Sequence, residues 1–197
     1  LTQTFTSSVG QPDKAPAVIP VAMGLVGVDG RQINLHLEGQ LDPVGHDMVL
    51  VLSGPSQTFT FVHVPVEPVP SLLRGFSAPV VLETELSDDA LFVLLSHDHD
   101  PFNRWEAAQK LALRRILNAV HGNGHMELDA RFIEAMRGVL RHGELDAAFK
   151  ELVLTDALEA SKQVGVDWLD PTGFGTPSEF YAFKVLEDTP EVHHVIV

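Results

Sequence analysis

No cysteine occurs anywhere in the chain. Disulfides, thiolate zinc sites and a cysteine nucleophile are therefore excluded, and the compartment has to be argued from something else. Positive charge is also scarce: 13 Lys and Arg stand against 27 Asp and Glu, for a net charge of −14, and no basic patch stands out. A chain this acidic does not suit nucleic acid phosphates and favours solubility. No apolar run approaches the ~18 residues of a membrane span, and no basic, apolar, small-residue signal pattern opens the chain. A cytoplasmic location is the default expectation. Leu1 stands where an initiator Met would, which implies a chain that was cut or processed.

What is present is ordinary for a soluble globular protein: 197 residues, 45% hydrophobic and 20% charged, enough for one or two domains with a real core. The pattern changes midway. Leu1 to Ser8 alternates weakly, as an edge strand would, and Gln11 to Pro16 reads as a loop. Val18 to Val26 is a nearly continuous apolar run ended by Asp29-Gly30, a hairpin turn signal. Ile33, Leu35 and Leu37 alternate with Gln32, Asn34 and His36, followed by Met48 to Leu52 and then Thr58 to Val64 with Phe59 and Phe61 on one face. Pro65, Pro68 and Pro70 interrupt pairing and mark a crossover or an edge. Val80 to Leu86 and Leu91 to Leu95 are expected to form a hairpin around Ser87-Asp88-Asp89. Seven short strands of this kind predict an all-β, immunoglobulin-like sandwich over residues 1–97.

From Asp100 the period becomes helical. Asp100 can cap a helix, Pro101 suits its first position, and Asn103 precedes Glu106 by three as in a variant capping box. Trp105, Ala108, Ala112, Ile116 and Val120 form one stripe of a long helix that ends at Gly122-Asn123-Gly124, with Leu113 and Leu117 beside it. A second helix is expected from Asp129, burying Phe132, Ile133, Met136, Val139 and Leu140, and a third from about Asp146 to Val164. Residues 98–197 thus read as the beginning of a helical array, with the stretch after about 171 unassigned.

Two long runs carry a resemblance. Pro70-Ser71-Leu72-Leu73-Arg74-Gly75-Phe76-Ser77-Ala78-Pro79-Val80 and Asp100-Pro101-Phe102-Asn103-Arg104-Trp105-Glu106-Ala107-Ala108-Gln109 resemble the aminopeptidase N family of zinc metallopeptidases, in its bacterial branch. Agreement extends from Ile19-Pro20-Val21-Ala22-Met23-Gly24-Leu25 to about Val153, with a faint echo at Asp170-Pro171. The resemblance implies the region after the catalytic domain: a small β-sandwich and the first helices of a large C-terminal helical domain. A parent enzyme would hold the zinc and cleave amino-terminal residues from peptides, with its other domains as this region's partners. Consistent with that placement, neither the H-E-x-x-H that grips zinc nor the family's G-A-M-E-N motif occurs in the chain. No cofactor is expected on the chain itself. The alternative is an independent β-sandwich module that binds a protein or other ligand.

Local chemistry is sparse. His97 and His99 could share one face of a strand and hold a divalent ion with Asp98 and Asp100 beside them, but no third well-spaced ligand is visible, and the expected reading is a polar loop in which the histidines are solvated, Asp100 caps the next helix and no metal is bound. His121 and His125 are separated by glycines that break helical spacing, and His125-Met126-Glu127 lacks the P-C-x-x-C a zinc deaminase needs. No G-x-S-x-G elbow occurs, and Gly24, Gly27 and Gly30 do not open a helix as a dinucleotide loop does. Asp88-Asp89 and Glu83/Glu85 read as solvated charge. Asp100, Arg104, Trp105 and Gln109 are expected to form a structural junction between the halves, with Trp105 as a buried anchor.

Overall fold

The apolar run at the start of the chain becomes its central strand. In the computed structural model, which describes residues 1–4, 14–121 and 129–155, β1 (Ile19–Gly27) pairs antiparallel with β3 (Met48–Leu52) and with the short β2 (Gln32–Ile33) along one side, and with β4 (Pro68–Leu72) along the other. The register sets Val21 opposite Leu50 and Leu25 opposite Ile33, so that alternate residues of three strands fall on one face. There Val21, Met23, Leu25, Ile33, Leu35 and Leu50 form the core of this β unit with Leu73 and Ala78.

The expected seven strands are not all drawn as ladders. Among the described residues there are four strands and two isolated bridges, Thr2 to Ser56 and Leu37 to Phe61. The side chains of the Thr58 to Val64 segment still serve the core, with Phe59, Phe61 and Val64 packed against it, but the backbone touches its neighbour only briefly. Pro68 and Pro70 mark an edge, as expected, but do not interrupt pairing, and Pro65 lies outside the strands. Pro68 and Pro70 lie inside β4, which among the described residues pairs only with β1, and an edge strand tolerates a missing N–H that would point outward. Val80 to Leu86 forms no strand.

The larger correction is α1 (Asp88–His97), which replaces the expected second arm of a hairpin. Leu91, Phe92, Leu94 and Leu95 are its buried residues, a spacing of three and four that an uninterrupted run of apolar residues conceals. Ser87 starts it, its hydroxyl accepting from the Ala90 amide at 3.2 Å and its carbonyl from the Leu91 amide at 3.0 Å. Asp88 and Asp89 occupy the first turn and are not merely solvated: Asp88 pairs with Arg114 at 2.7 Å and Arg115 at 3.3 Å, and Asp89 pairs with Arg131.

The remaining helices are α2 (Pro101–His121), α3 (Ala130–Arg141) and α4 (Ala147–Thr155). On α2, Ala108, Ala112 and Ile116 are buried as the stripe requires, whereas Trp105 is only half-buried. On α3, Phe132, Met136 and Val139 are buried while Ile133 and Leu140 are half-buried at the margin. Asp146 starts α4, accepting from the Phe149 amide at 2.7 Å. The expected end of that helix at Val164, and the tail with Asp170-Pro171, lie outside the described residues. By internal contacts the chain divides into a β unit of Leu1–Leu86 with His97–Asn103 and a helical unit of Ser87–Ser96 with everything from Arg104 on.

Asp129 ties the helical unit together electrostatically. It caps α3 by accepting from the Phe132 amide at 2.8 Å, and it accepts from Arg115 Nε at 2.8 Å and Nη2 at 2.5 Å. Partial burial pushes its carboxyl up, but the Phe132 amide and the Arg115 guanidinium outweigh that and hold it below the ordinary carboxylate range. Its contribution to stability is therefore complete above the unfolded value near ~4 and is lost as pH falls through the lower folded one. Asp129→Ala is expected to cost about 1 kcal/mol at pH 7, as lost caps do, with the gap from the parent closing in acid. Urea midpoints measured between pH 7 and pH 3 check this, and a gap that stays constant over that range contradicts it.

Candidate functional site

A dense polar cluster in the β unit is centred on Arg74. Leu73, Gly75 and Phe76 all have left-handed φ values, 56°, 60° and 54°, in and beside the single 3-10 turn that follows β4. A bulky residue adopts that conformation at a cost, so packing and hydrogen bonds elsewhere must hold the turn. Those bonds are made by Arg74. Its Nε donates to Ser71 Oγ at 2.8 Å, its Nη1 to Asp47 Oδ1 at 2.7 Å, and its Nη2 to Gln32 Oε1 at 3.1 Å and Asp98 Oδ1 at 3.0 Å. Ser71 Oγ also accepts from Asn103 Nδ2 at 2.7 Å, and the same amide group donates to the Leu72 carbonyl at 3.1 Å.

Two of these groups are out of water: the side chain of Asp98 is 0% exposed and that of Arg74 is 8% exposed. Asp98 Oδ1 also accepts from the Asp100 amide at 3.0 Å, while its Oδ2 has no partner among the described residues. Gly24 makes room for the guanidinium, since a Cβ there would lie 2.1 Å from Arg74 Nη1. The cluster holds no nucleophile beside a base. It binds strand, turn and the start of α2 into one piece.

The expected junction residues separate into three local roles. Asp100 caps α2, its Oδ1 accepting from the Asn103 amide at 2.9 Å and its Oδ2 from the Gly75 amide at 2.8 Å. Asn103 is thus no cap but a buried donor, and Glu106 pairs instead with Lys110 at 3.0 Å. Arg104 is buried in the helical unit and donates to the Leu95 and Ser96 carbonyls at 3.0 and 3.4 Å, closing the C-terminus of α1 where the helix dipole favours a cation. Gln109, also buried, donates to the Val153 carbonyl of α4 at 3.5 Å. Trp105 is not the fully buried anchor that the stripe implied.

His97 and His99 do not share a strand face. His97 is the last residue of α1, both imidazoles are exposed, and the carboxylate between them is committed to Arg74. Among the described residues no three His, Asp or Glu side chains converge as metal ligands would. His121 ends α2 with Nδ1 2.9 Å from the Leu117 carbonyl, and His125 lies outside the described residues. Sequence reading passed over Arg74, Asp98, Ser71 and Gln32 as a group; the available signal was an arginine and a serine inside an otherwise apolar run, with a glycine in the middle of a buried strand.

Comparison with known proteins agrees with this architecture. The model of a domain of unknown function, DUF3458, described as an Ig-like fold, matches residues 1–85, and its companion DUF3458_C, described as ARM repeats, matches residues 88–176. Aminopeptidase N of Escherichia coli K12 is 38% identical over 158 residues, 79% of this chain and 18% of the relative. Thiocyanate hydrolase subunit gamma of Thiobacillus thioparus is 49% identical over 55 residues, 27% of this chain and 23% of the relative. The crystal structure of Legionella pneumophila aminopeptidase A in complex with aspartic acid shares the fold, with a TM-score of 0.59 at 23% identity, covering 90% of this chain and 19% of that one. The chain spans about a fifth of the length of the curated relatives it matches. Two adjoining domain models that reach from residue 1 to residue 176, and a bacterial aminopeptidase N aligned over more residues than either of them holds, place the chain in the aminopeptidase N family, as a stretch made of its Ig-like domain and the helices that follow.

Proposed function

We propose that the chain is a structural, non-catalytic region of a zinc-dependent aminopeptidase. The β unit spaces the enzyme's domains and the helices begin a cap over its active-site chamber. The parent removes amino-terminal residues from peptides in the cytoplasm, its other domains are this region's partners, and peptide reaches only the parent. The observation that carries this reading is the pairing of the Ig-like and ARM-repeat matches with a sequence that contains no H-E-x-x-H. The parent's zinc is held outside this chain, a reading supported by a donor set that does not fit it: exposed imidazoles at a helix end, with the intervening carboxylate tied to an arginine. Fold alone does not carry function, so the reading needs the rest of the gene.

Two measurements test it. The coding sequence upstream of Leu1 is expected to continue in frame into H-E-x-x-H, and a natural start codon at this point instead overturns the reading. The isolated chain, assayed with amino-acyl p-nitroanilides and added zinc, is expected to show no turnover above buffer. Turnover that survives repurification and disappears when His97 or His99 is mutated would show that the chemistry resides here.

A further inference from the structure

Along the Thr58 to Val64 segment, Phe59 and Phe61 pack against the core of the β unit, and so do Val64 and Val66. Strict alternation would put every second residue from Phe59 onward on the core side, so the phase slips by one between Phe61 and Val64. The slip occurs at His63, whose φ of 57° is left-handed, in the manner of a bulge that re-aims a side chain. His63 is consequently exposed. On the neighbouring segment Leu35 and Leu37 face the core, which leaves His36 between them on the outer side. The Val62 amide donates to the His36 carbonyl at 2.9 Å and keeps the two segments together. The two imidazole rings lie with centroids 5.2 Å apart and planes at 39°.

That separation is informative. A ligating imidazole nitrogen sits about 2.0 to 2.1 Å from zinc and about 1.1 Å from its own ring centroid, so two rings on one tetrahedral ion have centroids about 5.2 Å apart. One ring nitrogen is already engaged. His36 Nε2 lies 3.0 Å from the Gln40 backbone carbonyl, which can only accept, so Nε2 donates there and Nδ1 is the nitrogen left for a metal ion. A carbonyl behind a ligating histidine is the usual orienting contact of a metal site. The left-handed conformation at His63 is costly for a residue of its size and is what brings the second ring outward.

We propose that His36 and His63 form a surface site for one borderline divalent cation of the zinc, nickel or copper type, with water filling the remaining positions. Imidazole suits these ions, and two protein ligands make the binding exchangeable. The site is separate from the zinc assigned to the parent enzyme and stands whether or not the chain belongs to a peptidase.

The test is calorimetric titration of the whole chain with zinc chloride, with copper-induced broadening of histidine ring resonances as the readout of position. Saturable binding is expected, weakened about tenfold or more in His36→Ala and in His63→Asn, and unchanged in the His97→Ala/His99→Ala double variant. Asn tolerates the left-handed conformation, so His63→Asn removes the ligand and keeps the fold, which an unchanged thermal midpoint verifies. His36 and His63 resonances are expected to broaden together, ahead of the other histidines. Absence of saturable heat, or binding equally tight in His63→Asn, overturns the proposal and leaves the pair as an aromatic contact.

Discussion

Arg74→Met is expected to destabilise the β unit by roughly 3 to 5 kcal/mol, the range found when one partner of a buried ion pair is removed. The reason lies in what stays behind. Asp98 has no exposed side-chain surface, and with the guanidinium gone its Oδ1 retains only the Asp100 amide while its Oδ2 has no partner among the described residues. The Ser71, Gln32 and Asp47 acceptors lose a donor at the same time. By contrast Asp47→Asn is expected to cost well under about 1 kcal/mol, since the Asp47 side chain is 77% exposed and water already screens that contact. Removing both charges, as in Arg74→Met with Asp98→Asn, should recover much of the loss, because the uncompensated charge dominates it. Urea unfolding followed by circular dichroism measures all three, with the slope checked because the two units need not unfold together. An Arg74→Met stability within about 0.5 kcal/mol of the parent would mean that the network is ornamental.

Gly24→Ala is expected to cost about 3 kcal/mol or more, by a steric route. A Cβ at this position would lie 2.1 Å from Nη1 and 2.2 Å from Cζ of Arg74, inside contact distance, and the guanidinium cannot swing away without breaking its bonds to Asp98 and Asp47. In an ordinary strand the same change is mildly favourable, since alanine loses less backbone freedom than glycine on folding. The sign of the effect therefore reports on the arginine. In an Arg74→Ala background the added methyl should cost well under about 1 kcal/mol, and the difference between backgrounds measures the coupling between positions 24 and 74. Equal costs in both backgrounds would place the clash elsewhere.

How much of this was legible depended on whether the cause was local. The central strand, the cap at Asp100, and the starts of α2 and α3 follow from apolar period and first-turn chemistry, and both are written within a few residues. The two long runs that resemble aminopeptidase N led to the family because they are read directly from residue order. Where local signals were degenerate, the tertiary structure decided. Leu91 to Leu95 is a run that suits a buried strand or a buried helix equally; Ser87 ahead of it and Arg104 closing its carbonyls make it α1. Pro68 and Pro70 read as marking a crossover or an edge, and only the pairing of β4, on one side among the described residues, decides for the edge. Trp105 shares a stripe with buried alanines, yet it is only half-buried. Asp98 looked like one more polar residue between two histidines, and only the folded chain carries Arg74 to it from 24 positions away. The sequence by itself therefore determined the period of most segments, the starts of α2, α3 and α4, and the family. The register of the strands, the left-handed slip at His63 and the partners of each buried charge were decided by tertiary structure, because they depend on which distant segments meet, and pairing across the sheet leaves no periodic trace in either partner alone.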